Sequence, residues 1–204
     1  MKKLIPSLLA LTLLALPSLA SASTWQVDAA HATVGFEVSH LMISKVRGSF
    51  DEVQATLELD EKNLANSKVK ATIAASSIDT GNEKRDGHLK SGDFFDVAAH
   101  PALTFESTKV KKAGKNKLKV TGNLTIKGVS KPVTLDVTYT DAVKSPFAPI
   151  RIRGFTATTT IDRTDWGLTW NKALETGGVL VGEEIAITLS LEFQEEAEAK
   201  TASR

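Results

Sequence analysis

The chain has 204 residues, a formal charge of +1 and no cysteine. The absence of thiols excludes disulfides, thiol catalysis and thiolate metal sites. The near-neutral balance gives no electrostatic reason to expect nucleic acid or an anionic membrane surface as a partner.

Lys2 and Lys3 precede an apolar stretch from Leu4 to Leu19, and Ala20-Ser21-Ala22 has the small residues of a cleavage site. Pro6, Pro17 and the shortness of the run argue against a retained membrane helix. These features predict a secretory signal over residues 1–22, cut after Ala22, and a periplasmic mature chain. That chain has about 180 residues, enough for one domain with a sizeable core, and loses two lysines, so its charge becomes about −1.

Beyond the signal, polar and apolar residues alternate with a two-residue period, as half-buried strands require. Trp25 to Asp28 enters a first strand, and after a turn at Ala29-Ala30 a second carries Val34, Phe36 and Val38. Leu41 to Val46 reads as one helical turn, and Phe50 to Leu59 as the next strand. A strand through Val69, Ala71, Ile73 and Ala75 follows. Asp79 to Gly92 opens on capping residues, carries acids early and bases later, and reads as a short helix pinned by Leu89, Phe94 and Phe95. Strands at Leu103–Val110, Leu118–Ile126, Val133–Tyr139, Phe155–Ile161 and Glu184–Phe193 complete the series, separated by Gly, Pro and Asn turn signals. Residues 195–204 read as a flexible polar tail.

About eight or nine sequential strands with short links predict an all-β protein: an up-and-down antiparallel barrel with one or two short helices, closed because open edges invite aggregation. The alternation points Val34, Phe36, Val38, Ala55, Leu57, Ala71, Ile73, Phe105, Val120, Leu124, Leu135, Val137, Phe155, Ala157, Ile187 and Leu189 inward, as the wall of a lumen. Ala55, Ala71, Ala75, Gly122 and Ala157 are small inward positions and suggest room. An eight-stranded barrel sits at the size where the interior either fills or holds one ligand. Periodicity alone leaves solid and hollow open. A hollow barrel so lined would take an elongated apolar molecule, in a tunnel of roughly 30 Å.

The chemistry is sparse. His31, His40, His88 and His100 show no tight metal-ligand spacing, and no G-x-S-x-G elbow or triad order is present. We therefore assign no metal, no catalytic residue and no cofactor. His40, Arg47, Arg85, Asp86, His88 and Asp93 are the candidates for a rim or headgroup contact. The competing reading is that Arg85 and Asp86 tie the helix to the rim by ion pairs. Trp166 and Trp170 are expected to pack a barrel end.

Several motifs then align with a known family. Trp25-x-Val27-Asp28-x-x-His31, Phe36-x-Val38-Ser39-His40-Leu41 and Val46-Arg47-Gly48-x-Phe50 resemble the opening of the YceI-like family. Ser77-Ile78-Asp79-Thr80, Arg85-Asp86-x-His88-Leu89-x-Ser91-x-Asp93-Phe94-Phe95 and His100-Pro101-x-Leu103-x-Phe105 continue it, with His100 where many relatives carry Tyr. Gly122-x-Leu124-Thr125-Ile126-Lys127-Gly128 and Arg163-x-Asp165-Trp166-Gly167-Leu168 complete it. The resemblance implies a lipocalin-like extended barrel, often periplasmic, that binds a polyisoprenoid or related long-chain amphiphile in its lumen. The expected function is a carrier or scavenger of such a lipid that makes no bonds, acts as a monomer or homodimer and touches membranes transiently. Two alternatives stand beside it: an enzyme using Asp86, His88 and Asp93 on a bound lipid, and a solid barrel serving stress protection or assembly.

Overall fold

The computed structural model describes residues 22–175 and 177–196. The expected signal up to residue 21 and the expected tail from residue 197 lie outside the described residues. The strands are β1 (Ser23–His40), β2 (Ser44–Phe50), β3 (Val53–Leu59), β4 (Lys68–Ala74), β5 (Ile78–Asp79), β6 (Ala102–Gly114), β7 (Lys117–Ile126), β8 (Val129–Tyr139), β9 (Val143–Lys144), β10 (Arg151–Asp162) and β11 (Val181–Glu195). One helix, α1 (Glu83–Lys90), stands between β5 and β6.

Eight of these strands, β1, β3, β4, β6, β7, β8, β10 and β11, pair in sequence order, and β11 returns to β1 to close an antiparallel barrel. The predicted up-and-down topology is the one observed. β2 flanks the second half of β1, and β5 pairs with β2.

Four local expectations are corrected. The turn at Ala29-Ala30 does not divide the first strand. Val27 faces Phe193 and Ala32 faces Leu191, so the residues between bulge out of one continuous β1. Asp28 stabilises that bulge by accepting the Ala30 N–H (3.0 Å) and bonding His31 (2.9 Å). Leu41–Val46 is not helical: residues 41–43 form a hairpin turn, and Val38 pairs with Val46 across it. The strand expected over Phe50–Leu59 is two strands, because β2 pairs with β1 and β5 whereas β3 pairs with β4. Finally, the chain is ordered through Glu195, whose strand pairing continues to Trp25.

The helix begins later than predicted, with Asn82 as its cap accepting the Arg85 N–H at 3.0 Å, and Asp79 belongs to β5. α1 and the turns at Ala75–Ser77 and Arg163–Trp166 gather at one end of the barrel. Ala75 lies in the first of these turns, buried against the core, and so is not a wall position. Trp166 is buried and donates its indole N–H to the Leu124 carbonyl at 3.0 Å, anchoring that turn to β7. Trp170 packs partly buried beside it, so both tryptophans pack this end.

The opposite end closes on Trp25, which is 0% exposed and sits with Leu57, Leu59 and Phe193. Arg151 and Arg153 stack over the indole at 5.3 and 5.8 Å. Arg151 grips Glu195 through two nitrogens (2.7 and 2.5 Å), and Glu61 bridges both arginines at 2.9 and 3.0 Å. The Arg153 Nε is buried without a hydrogen-bond partner. Its guanidinium carbon also lies 5.9 Å from the Tyr139 ring.

Gly122 does not leave room in the lumen as its size suggested. A Cβ there would lie 2.4 Å from the Phe105 ring and 2.6 Å from the Glu106 carbonyl, so the aromatic ring covers the glycine from the neighbouring strand. Gly48 is covered by Phe36 in the same way.

Gly122→Ala is expected to destabilise the barrel by about 1–3 kcal/mol through overpacking, and Phe105→Leu in the same chain should not restore the loss, because the Glu106 carbonyl still blocks the added Cβ; denaturant unfolding followed by tryptophan emission measures both. At the Trp25 end, Arg151 holds the Glu195 carboxyl below its ordinary pKa of 4.5. A depressed folded pKa means the stabilisation is present above 4.5 and lost as pH falls through the lower folded value. Glu195→Gln should cost about 1 kcal/mol at pH 7, given the partial exposure of the pair. The gap between variant and parent urea midpoints should narrow progressively as the pH is lowered below 4.5.

Candidate functional site

Inside the barrel runs one elongated cavity with about 270 Å³ of room for the centres of water-sized spheres. Its wall follows the pleat. Val34, Phe36 and Val38 come from β1, Ala55 and Leu57 from β3, Ala71 and Ile73 from β4, and Phe105 from β6. Val120 and Leu124 come from β7, Leu135 and Val137 from β8, Phe155 and Ala157 from β10, and Ile187 and Leu189 from β11. These sixteen positions all face this space, whereas Ala75 and Gly122, also read as inward, do not line it, and the barrel is hollow.

The cavity extends from Val181 to Phe193 along β11. At about 3.3 Å per residue and a strand tilt near 40°, that is roughly 30 Å along the axis. Spread over this length, the open volume amounts to a tube of about 3 Å radius once the sphere itself is included. Such a bore matches one hydrocarbon chain rather than a ring system or a folded peptide.

The atoms exposed to the cavity are carbon almost throughout. Arg163, Lys68, Ser67 and Thr159 touch the lining only as neighbours of this apolar surface. Arg163 is buried, and its three nitrogens donate to the carbonyls of Gly182 (2.9 Å), Leu168 and Val181 (3.3 Å). Burial pulls its pKa below the ordinary arginine value. This cation braces the Arg163–Trp166 turn against the start of β11. It belongs to a motif visible in the sequence, but nothing in that motif announces a buried charge.

The two ends of the cavity differ. At the Trp25 end the cavity reaches Leu59 and Phe193, which are buried and pack with the fully buried Trp25. At the helix end, Phe36, Val38, Leu89, Phe95, Val181 and Ile185 are only partly buried. Residues of α1 and of the strands flanking the β1–β2 hairpin thus line the cavity at this end. Leu89, Phe94 and Phe95, which sequence reasoning treated only as anchors of the helix, also line the cavity here.

The rim candidates separate. Arg47 lies on the outer face of β2, 78% exposed in its side chain and paired with Glu37 at 2.7 Å, so it does not face the mouth. The alternation explains this: Val46 and Gly48 take the inner face, which leaves position 47 outside. His40 ends β1, half-buried, and its carbonyl accepts the Ile43 N–H at 3.2 Å. Arg85 and Asp86 lock the helix, not by ion pairs to the rim but through Thr80. Asp86 accepts the Thr80 N–H (3.0 Å) and hydroxyl (2.5 Å), while Arg85 donates to the hydroxyl oxygen (2.7 Å) and carbonyl (2.8 Å). His88 bonds Asp93 at 3.0 Å and stands edge-on to Phe94 and Trp170 at 5.1 and 4.7 Å.

Asp86 and His88 are two residues apart on a helix, so about 200° separates their directions. Asp86 is buried against Thr80, and His88 points to Asp93 and the rings. The acid–base constellation expected of an enzyme on these three residues is not assembled.

Among the described residues, Asp28, His31 and Glu192 form a grouping able to hold a metal ion, their ligand atoms lying within 4.8 Å of one another. Sequence spacing missed it because β11 supplies the third member. The Asp28 carboxylate is already engaged by Ala30, His31 and Gln194 (2.7 Å), which lowers its pKa, with the His31 contact the largest cause. The same hydrogen bond raises the pKa of His31. Asp28 and His31 serve as the clamp of the β1 bulge.

Comparison with known proteins matches this architecture. Residues 25–193 match the YceI-like domain. The UPF0312 protein SA2479 of Staphylococcus aureus is 43% identical over 166 residues, covering 81% of this chain and 94% of that one. Among solved structures, Burkholderia cenocepacia BcnA aligns with a TM-score of 0.72 at 27% identity, over 81% of this chain and 98% of its own. The Campylobacter jejuni YCEI protein aligns at 0.66 and 32% identity, over 78% and 90%. A polyisoprenoid binding domain from Saccharophagus degradans shares the fold at 0.61 with 14% identity, over 84% and 98%. The match spans the whole barrel from Trp25 to Phe193, and the chain belongs to the YceI-like family.

Proposed function

We propose that the protein is an exported carrier or scavenger that takes the chain of a polyisoprenoid, or a similar long amphiphilic lipid, into its lumen and releases it unchanged. The observation that carries this reading is a lumen of roughly 30 Å whose exposed wall is almost entirely carbon. The polyisoprenoid-binding description of the Saccharophagus degradans domain supports the same ligand class. The basic, apolar and small-residue succession of residues 1–22 supports a periplasmic location.

Energetics favour recognition by the tail. Burial of one methylene contributes about 0.8 kcal/mol, so a five-carbon isoprene unit contributes roughly 3–4 kcal/mol before ordering costs. A hydrogen bond to a headgroup supplies about 1–3 kcal/mol. The wall offers a polar headgroup no partner, so on this reading the helix end serves as the mouth, where the headgroup rests while the tail runs toward Trp25. The bond-making alternative needs Asp86, His88 and Asp93 to converge, and Asp86 is committed to Thr80.

Native mass spectrometry of gently purified protein should reveal a co-purified long-chain lipid. Ala157→Phe, which places a ring across the bore, should abolish its retention while leaving the circular dichroism of the barrel intact. Ala71→Phe should act alike. A folded A157F protein that keeps its lipid would show that the ligand lies elsewhere. Affinity should rise with each added isoprene unit until the tail reaches the Trp25 floor, and change little between an alcohol and a quinone head on the same tail. Competition binding with a prenol series measures both slopes.

A further inference from the structure

The turn joining β1 to β2 projects two consecutive large apolar side chains into solvent, Met42 at 69% and Ile43 at 85% exposure. The projection is built, not frayed. Leu41 and Met42 both adopt left-handed backbone (φ +54° and +61°), a conformation that ordinary side chains resist. The Leu41 N–H donates to the Leu180 carbonyl at 2.8 Å. Met42 lies over Gly178, where a Cβ would sit 2.6 Å from its sulfur, so the base of the turn is braced on the loop preceding β11. Three residues before the turn, Val38 lines the cavity, as does Val181 beside Leu180. The apolar tip therefore stands at the helix end of the cavity, which is the mouth on the lipid-carrier reading.

We infer that this tip is a membrane-docking element that inserts Met42 and Ile43 into a lipid bilayer, setting the mouth of the lumen against the membrane from which the lipid is drawn. The inference rests on the lipid-carrier reading. A bilayer suits the tip better than a protein partner on grounds of area. Two side chains offer on the order of 300 Å², far below the roughly 800 Å² per partner of a stable protein interface. A bilayer needs no shape-matched surface and accepts any apolar group that reaches its acyl layer. Charge does not drive the contact. Lys45 and Arg47 at the base share Glu37 as counter-ion, with Lys45 bonded to it and Arg47 at 2.7 Å. Phe147, 95% exposed, lies in the β9–β10 loop at the sealed Trp25 end and provides the internal control.

The test compares two sources of one lipid. Purified protein is offered a fluorescent polyprenol analogue either in phosphatidylcholine vesicles or as a soluble cyclodextrin complex, and uptake is timed. Met42→Ser/Ile43→Ser should take lipid from vesicles at least about tenfold more slowly than the parent and from cyclodextrin at a rate within about twofold. Phe147→Ser should match the parent in both. Because the contact is apolar, parental uptake from vesicles should hold constant between low and high salt. Ile43→Trp should add a blue-shifted emission component when vesicles are mixed in. A double variant as fast as the parent on vesicles, an equal loss in Phe147→Ser, or uptake abolished by salt would each overturn the docking role. Uptake from cyclodextrin but not from vesicles by the parent overturns the docking role alone. Uptake from neither source overturns the carrier reading on which it rests.

Discussion

The pairing of the first strand with the last is the contact on which the rest of the molecule depends. β1 is hydrogen-bonded to β11 from Trp25↔Glu195 to His40↔Val181, and on its other side it serves β3 with its first residues and β2 with its last. Without that seam the structure is an open sheet with two long edges, a template for aggregation. With it, the inward faces of eight strands meet and the edges vanish. The bulge at residues 28–31 lets one 18-residue strand satisfy three partners while the barrel curves around it. The polar residues of the bulge, Asp28 and His31, are thus placed by closure rather than by catalysis.

A hollow interior has a cost that the ends of the barrel must offset. Wall residues facing empty space forgo the dispersion contacts a solid core would supply. Along β11, Ile185, Ile187 and Leu189 are only partly buried although all face inward. The tightly packed residues concentrate instead at the two ends. Trp25, Leu59 and Phe193 form one plug, capped by the Arg151, Arg153, Glu61 and Glu195 network. Phe94, Trp166 and Leu168 form the other, with Arg163 bracing the chain above them. Packing is spent where no ligand needs to pass, and the bore between is left to whatever fills it. A bound chain would supply the missing contacts, coupling occupancy to stability.

What was legible in the sequence follows from what is local. The period of two puts Phe155 and Ala157 on one face whatever the rest of the chain does, so the wall could be read strand by strand. The charge order of α1 is likewise a local signal, although the helix was read from Asp79 and not from its Asn82 cap. Several of the failures are relations between distant residues. That Phe105 would lie over Gly122 depends on the β6–β7 register, so a small residue looked like space where a ring lies. Glu61 meets Arg151 and Arg153 across some ninety positions of sequence, and no spacing rule finds that pair. Arg47 was misplaced for a different reason. Its charge suggested a rim, while the alternation that placed Val46 and Gly48 inward already sent it outside.

The asymmetry of the ends also constrains how the lumen can work. A chain entering from the helix end meets a carbon-lined bore and stops at the Trp25 plug, whose cations are held by Glu61 and Glu195 rather than free to attract a headgroup. Entry head-first would strip a polar group of water with nothing in the wall to replace it, a penalty of several kcal/mol. Entry tail-first pays no such penalty and gains with every methylene buried. The orientation of the ligand is thereby set without a specific contact to its head. The same reasoning explains why the charged residues at the mouth are tied up in holding α1 and the Arg163–Trp166 turn. On the lipid-carrier reading, their task is to keep a dry opening in place, and binding is the work of the wall.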